Sequence, residues 1–197
     1  MNILIFDTET SGFYSKTLAA DHPDQGHMMQ LACSLINEKG HVFTDFVTLV
    51  EPEVTYLVNA GAFAQHHIEY ADCVERGMKL DVVLDVFDQL YQVADLVVAH
   101  NLAFDSKILN NARALAGRPE LAWNTPKHFC TMEAMTPICR LPARFKGTEF
   151  KWPKLEEAHA YCFKTKHEKA HDAMGDVKAT TKVWLWLQEM KQPAVAV

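Results

Sequence analysis

No apolar run in this 197-residue sequence approaches the roughly 20 residues that a helix needs to cross a bilayer, so a membrane-spanning chain is not expected. The N-terminus has no basic segment leading into an apolar one. Asp7 and Glu9 stand where an export signal would be apolar, and the expected compartment is therefore the cytoplasm. Cys-x-x-Cys pairs are missing too. The five cysteines, Cys33, Cys73, Cys130, Cys139 and Cys162, are odd in number and widely spaced, which suits reduced thiols rather than a disulfide frame or a thiolate zinc site. There are no repeats and no low-complexity segments. Nor is there an overall positive charge: the net charge of -6 speaks, on average, against a partner as negative as nucleic acid.

That average hides a local reversal. Between Arg140 and Lys169 the chain carries eight Lys or Arg against four acids, so the remainder is more acidic than the total suggests. With 49% apolar and 22% charged residues, the chain has the profile of a globular protein with its own core. One domain over residues 1–190 is expected, with 191–197 as a frayed tail. Residues 2–8, 28–37 and 41–50 read as strands, the last two joined by a turn at Glu38-Lys39-Gly40. A short helix is expected within 58–68. Another is expected over 80–94, where Val82, Val83, Val86, Phe87, Leu90 and Tyr91 recur at helical spacing. Residues 95–101 fit a strand buried on both faces, followed by a helix closed by Gly117 and Pro119. A short strand near 128–131, a helix near 131–139, a helix opened by Pro153 and a last helix from Ala173 to Met190 complete the reading, with Asp172 as the last helix's N-cap. Strands first and then alternating elements give an α/β fold with a mixed sheet flanked by helices. The pattern does not fix the strand order.

The chemistry begins in ILIFDTETSG (3–12), where four apolar residues run straight into acids. Strand residues two apart point to the same face, so Asp7 and Glu9 lie side by side, about 7 Å apart along the chain. If that face is buried or in a cleft, either a positive charge sits between them or one of them takes a proton. Asp105, in AHNLAFDSKIL, stands just past the buried strand, where such sheets place ligands; alone, it would read as a helix N-terminal acid. In AHDAMGDVKATT, residues five apart are about 140° apart on a helix, so His171 reaches Asp176 only from the loop before Asp172. His167 is a rival for whatever role His171 has. Asp7, Glu9, Asp105 and Asp176 form a set of hard oxygen donors suited to Mg2+ or Mn2+ rather than zinc. Two such cations in a carboxylate site drive in-line displacement at phosphorus, and a histidine suits removal of the proton from the attacking water.

FDTETSG, AHNLAFDSKIL and HDAMGDVKAT, in that order, resemble the three exonuclease motifs of the DnaQ-like, or DEDDh, family of 3'-to-5' exonucleases. QLA (30–32), NAGAFAQHHI (59–68) and CTMEA (130–134) add to the similarity, which covers residues 2 to about 188. The resemblance implies a ribonuclease H-like fold, with three antiparallel strands followed by parallel ones, and two Mg2+ or Mn2+ ions. By that resemblance Asp7 bridges both ions, Glu9 and Asp176 hold the one that activates water, and Asp105 acts mainly through the other's water shell. His171 is the implied general base. Thr10, Gly12 and Phe13 would grip the terminal nucleotide, with Phe63, His66 and Phe104 as stacking partners. The 13–28 segment is longer than the family's usual connection, which implies an altered site entrance.

Phe150, Lys151, Trp152 and Lys154 could guide a strand backbone, which would account for the local basic balance. The expected activity is hydrolysis of phosphodiester bonds at nucleic-acid 3' ends, with single-stranded DNA favoured and nucleoside 5'-monophosphates released. RNA trimming of the oligoribonuclease kind, or proofreading beside a polymerase or another replication or repair partner, are variants. A binding module that keeps the fold without the chemistry, and a structural protein whose acids are solvated caps, are the rivals from other classes.

Overall fold

The computed structural model describes residues 1–123, 125–143, 149–165 and 172–191. Strand β1 (Asn2–Thr10) is the centre of a five-stranded sheet. It pairs antiparallel with β2 (Met28–Asn37), which pairs antiparallel with β3 (Val42–Leu49). On its other edge β1 pairs in parallel with β4 (Leu96–Ala99), and β4 with β5 (His128–Cys130). The order is therefore β3-β2-β1-β4-β5, the mixed sheet expected from the sequence. Gly40, at φ 80°, makes the β2–β3 turn, where a left-handed backbone suits glycine. The Asn37 side-chain oxygen accepts the Lys39 and His41 N–H groups there.

Both faces of the sheet are covered, because alternate residues of the central strands are apolar on both sides. Leu4 and Phe6 enter one core with Leu84 and Phe87 of α3 (Leu80–Val93) and Ile108 and Leu109 of α4 (Leu102–Leu115). Of the α3 residues read at helical spacing, Val82 proves exposed. Ile3 and Ile5 enter the other with Ala173, Val177 and Trp184 of α7 (Ala173–Lys191). α5 (Thr131–Cys139) and α6 (Leu155–Phe163) pack on the far part of α7 through Met135, Ala158 and Val183. No helix among the described residues is long and apolar enough to cross a membrane.

Three details differ from the sequence expectation. β1 continues to Thr10 instead of ending at residue 8, because Glu9 pairs with Gln30 in the ladder. α6 begins at Leu155 with Lys154 as its N-cap, the Glu157 carboxylate accepting the Lys154 N–H at 2.8 Å; Pro153 precedes the helix rather than opening it. Besides α1 (Ala60–His66), a second short helix, α2 (Tyr70–Arg76), follows. It has too few apolar positions to show a period, and reciprocal capping between Glu69 and Asp72 starts it. Of the 191–197 tail, all but Lys191 lies outside the described residues.

Candidate active site

The alternation that builds the core also builds the site. Beyond Ile5, the same face of β1 presents Asp7 and Glu9 toward α7, whose first turn carries Asp176. The three carboxylates each offer an oxygen, and these oxygens all lie within 4.8 Å of one another. Thr8, on the opposite face, meets α4. There the Asp105 Oδ1 accepts from the Thr8 hydroxyl at 2.7 Å and from its N–H at 3.2 Å. Asp105 is thus bound to β1 rather than acting as a solvated helix-end acid. Asn101, at φ 70°, turns the chain from β4 directly into α4 and so sets Asp105 one turn from the strand end. Gln30 fixes α7 in the same way: its side-chain oxygen accepts the Ala173 N–H at 3.3 Å, next to its ladder partner Glu9. The helix's first hydrogen bond runs from the Asp176 N–H to the Asp172 carbonyl at 2.9 Å, consistent with Asp172 at its head.

Crowded and desolvated carboxylates hold their protons. Burial pushes Asp7 well above the usual carboxylate range, and the charges of Asp105, Asp176, Glu9 and Asp172 push it further. Glu9 rises to about 8, from burial first and then from Asp176, Asp105 and Asp172. Asp105 rises to about 7 through burial, opposed by its hydrogen bonds from Thr8. No lysine or arginine among the described residues forms an ion pair with Asp7, Glu9 or Asp105. An all-oxygen donor set whose charged forms burial and crowding disfavour fits hard divalent cations such as Mg2+ or Mn2+, which would replace the protons. Asp7, Glu9 and Asp176 could hold one directly, with Asp105 beside them.

The acids line a cleft of about 300 Å3 whose walls include Thr10, Gly12, Phe13, His66 and Phe104, all expected from the sequence. Phe13 is 84% exposed, and its ring stands edge-on to Phe104 with centroids 6.4 Å apart. His66 is buried: its Nε2 donates to the Thr10 carbonyl at 3.0 Å and its Nδ1 accepts the Ile68 N–H at 2.9 Å. It props the strand end and is not a free stacking ring. Phe63 does not line the cleft and sits edge-on to His67. Lys151 and Trp152 are also outside its lining; Lys151 pairs with Glu157 at 2.5 Å, and Trp152 is exposed. His171 and its rival His167 lie outside the described residues.

Asn59, Gln65, His100 and Asn101 line the cleft without having been foreseen. The signal for two of them was present in AHN (99–101), directly after a buried strand. His100 is buried, its Nε2 donating to the Pro153 carbonyl at 3.0 Å and its Nδ1 accepting from the Thr131 hydroxyl at 2.9 Å. Burial pushes it down to about 4, so it stays neutral.

The segment between β1 and β2 folds into a fixed loop. The Gln25 side-chain oxygen accepts the Ser15 and Gly26 N–H groups, while its amide donates to the Ser15 and Leu18 carbonyls. Gly26 lies where a Cβ would come within 2.8 Å of the Gly12 carbonyl and 2.9 Å of Tyr14 N, so the returning chain presses on the residues that follow Glu9. The Asn111 side chain ties the loop to α4 through the Ala20 carbonyl at 3.3 Å.

A family model described as exonuclease, of the RNase T type, matches residues 4–184. Among solved structures, Escherichia coli Exonuclease I in complex with a dT13 oligonucleotide is 22% identical with a TM-score of 0.74, covering 95% of this chain and 41% of that one. The zinc-bound form of that enzyme's single-stranded DNA complex gives 22% and 0.75, covering 96% and 41%. At this identity the likeness concerns the fold, and this chain spans about two fifths of Exonuclease I. No curated protein sequence matches.

Proposed function

Because the chain belongs to the RNase T-type exonuclease family, we propose that it removes nucleotides from the 3' end of single-stranded DNA by hydrolysis, releasing nucleoside 5'-monophosphates. The observation that carries this reading is the convergence of Asp7, Glu9 and Asp176 within 4.8 Å, beside Asp105 and under the exposed Phe13 ring. Bound Mg2+ or Mn2+ would supply water activation and charge neutralisation at the phosphoryl group. The chain's own residues do the rest. Phe13 and Phe104 flank the terminal base, and the Thr10–Gly12 backbone sets the depth to which the 3' end enters. Asp7, Glu9 and Asp176 hold the cations, with Asp105 kept in place by Thr8. His171, one residue before Asp172 in the sequence, takes the proton of the attacking water as the bond to the leaving 3' oxygen breaks. The single-stranded DNA in the Exonuclease I complexes supports the choice of substrate.

The test is a time course on 5'-labelled single-stranded DNA, matched RNA and a duplex with a mismatched 3' end, with Mg2+, Mn2+ or chelator and with Asp7→Ala as control. Metal-dependent shortening by one nucleotide at a time, fastest on DNA and absent in the variant, is the expected result. Faster RNA shortening would give the substrate as RNA. Preference for the mismatched duplex would favour work beside a polymerase. Intact strands in every lane, with binding retained, would reduce the protein to a binding module.

A further inference from the structure

A second cavity, about 370 Å3, lies between the 13–27 loop and the exposed face of α4. Tyr14 and Leu18 form its loop side, Lys107 and Asn111 its helix side, and Trp123 its end. Its lining residues follow those of the acidic cleft in the chain on both walls. Phe13 lines one and Tyr14 the other, while on α4 Phe104 lines one and Lys107, three residues on and so on the same side of the helix, lines the other.

Three properties of this cavity point to a strand. It is already formed, because Gln25, Gly26 and the Asn111–Ala20 hydrogen bond hold the loop in place. It is aromatic: Tyr14 and Trp123 are partly exposed, and the Trp123 indole N–H is committed to Asn110 Oδ1 at 3.3 Å, so the ring has contact surface rather than a donor to offer. And it holds an exposed cation. Lys107 makes no ion pair or hydrogen bond among the described residues, whereas the described cations of the basic stretch are engaged. Lys151 pairs with Glu157, Lys154 with Glu156, Lys164 bonds the Tyr161 carbonyl and Arg140 the Pro137 carbonyl. Among the described residues, Lys107 is the one Lys or Arg that lines either the cleft or this cavity. Stacking surface plus a free cation is the usual platform for single strands. Glu120, also in the lining, repels phosphate and limits how far the strand follows the groove.

We propose that this cavity is a subsite for the 5'-ward nucleotides of a single-stranded substrate, with Lys107 at a backbone phosphate. The assignment rests on the exonuclease reading above. It predicts that affinity grows with strand length until the strand reaches Lys107 and then levels off.

The experiment compares wild type, Lys107→Gln and, as a control for charge removal elsewhere, Lys182→Gln on exposed α7 surface. Initial rates with Mn2+ are measured on a series from thymidine dinucleotide to decanucleotide, and decanucleotide binding is measured separately by fluorescence anisotropy with Ca2+. In Lys107→Gln, KM for the decanucleotide should rise roughly three- to tenfold with kcat unchanged. The slope of log affinity against log salt should shrink by about 0.7, the value for one single-strand phosphate contact. Lys182→Gln should follow the wild type. Equal KM, affinity and salt slope in Lys107→Gln and wild type would overturn the subsite, as would an equal effect on dinucleotide and decanucleotide, which would put Lys107 at the reacting end. If no protein hydrolyses any strand, the exonuclease reading fails, and the anisotropy salt slope alone decides whether Lys107 contacts phosphate.

Discussion

At the scale of single residues, the acids are set against one another, and that opposition is measurable. The raised Glu9 binds its proton more tightly folded than unfolded, so its contribution to stability is complete below the ordinary value of 4.5 and is lost as pH rises through about 8. In chelator, the unfolding free energy of Glu9→Gln should therefore gain on wild type by about 1.4 kcal/mol per pH unit across that window. Urea titrations at pH 5, 6.5 and 8 would read this; a constant difference would mean that Glu9 is ordinary. His171→Ala should lower turnover roughly 10^2- to 10^4-fold without weakening metal-induced stabilisation. An equal loss in His167→Ala alone would transfer the role of base to that ring.

Among the elements, supports matter as much as the acids. His100 links the end of β4 to the start of α5 through Thr131 and to the approach of α6 through Pro153. His100→Ala removes two buried hydrogen bonds and leaves a void, so a loss of about 2–4 kcal/mol is expected from denaturant unfolding. Gly26→Ala should also lose stability, because its methyl meets backbone rather than a yielding side chain, and should in addition raise KM by displacing the Gly12–Tyr14 backbone at the cleft. Comparing the two variants separates a support of the fold from a support of the cleft wall. The same contrast explains what the sequence disclosed. Alternation in β1 and helical spacing in α3 are local, and they predicted both elements and the shared face of Asp7 and Glu9. The strand order depends on pairings between distant segments, which no local period records. Phe63 looked like a stacking ring from its place in NAGAFAQHHI, but one helix turn decides whether a side chain faces the cleft or His67, and the short α1 has no period long enough to show which. Lys151 looked available to a strand because its partner Glu157 stands on a helix six residues later, an ion pair that charge counting treats as two separate charges.

For the whole molecule, cation binding and folding are linked through the cleft. A ligand that binds only the folded state at 100 times its Kd stabilises it by about 2.7 kcal/mol, or roughly 5–10 °C for a chain of this size. Thermal melts with increasing Mn2+ should show that rise in wild type and none in Asp7→Ala. The site also joins distant parts of the chain: Asp7 and Glu9 belong to the first strand and Asp176 to the last helix. α7 supplies Ala173, Val177 and Trp184 to the core that covers Ile3 and Ile5, so the helix that completes the ligand set also seals one face of the sheet. Without α7, Asp7 and Glu9 lack Asp176, the third member of their oxygen cluster, and the apolar sheet face at Ile3 and Ile5 is open. Ligand set and core cover thus arrive together, and a change that loosens α7 from the sheet should weaken cation binding and stability in step.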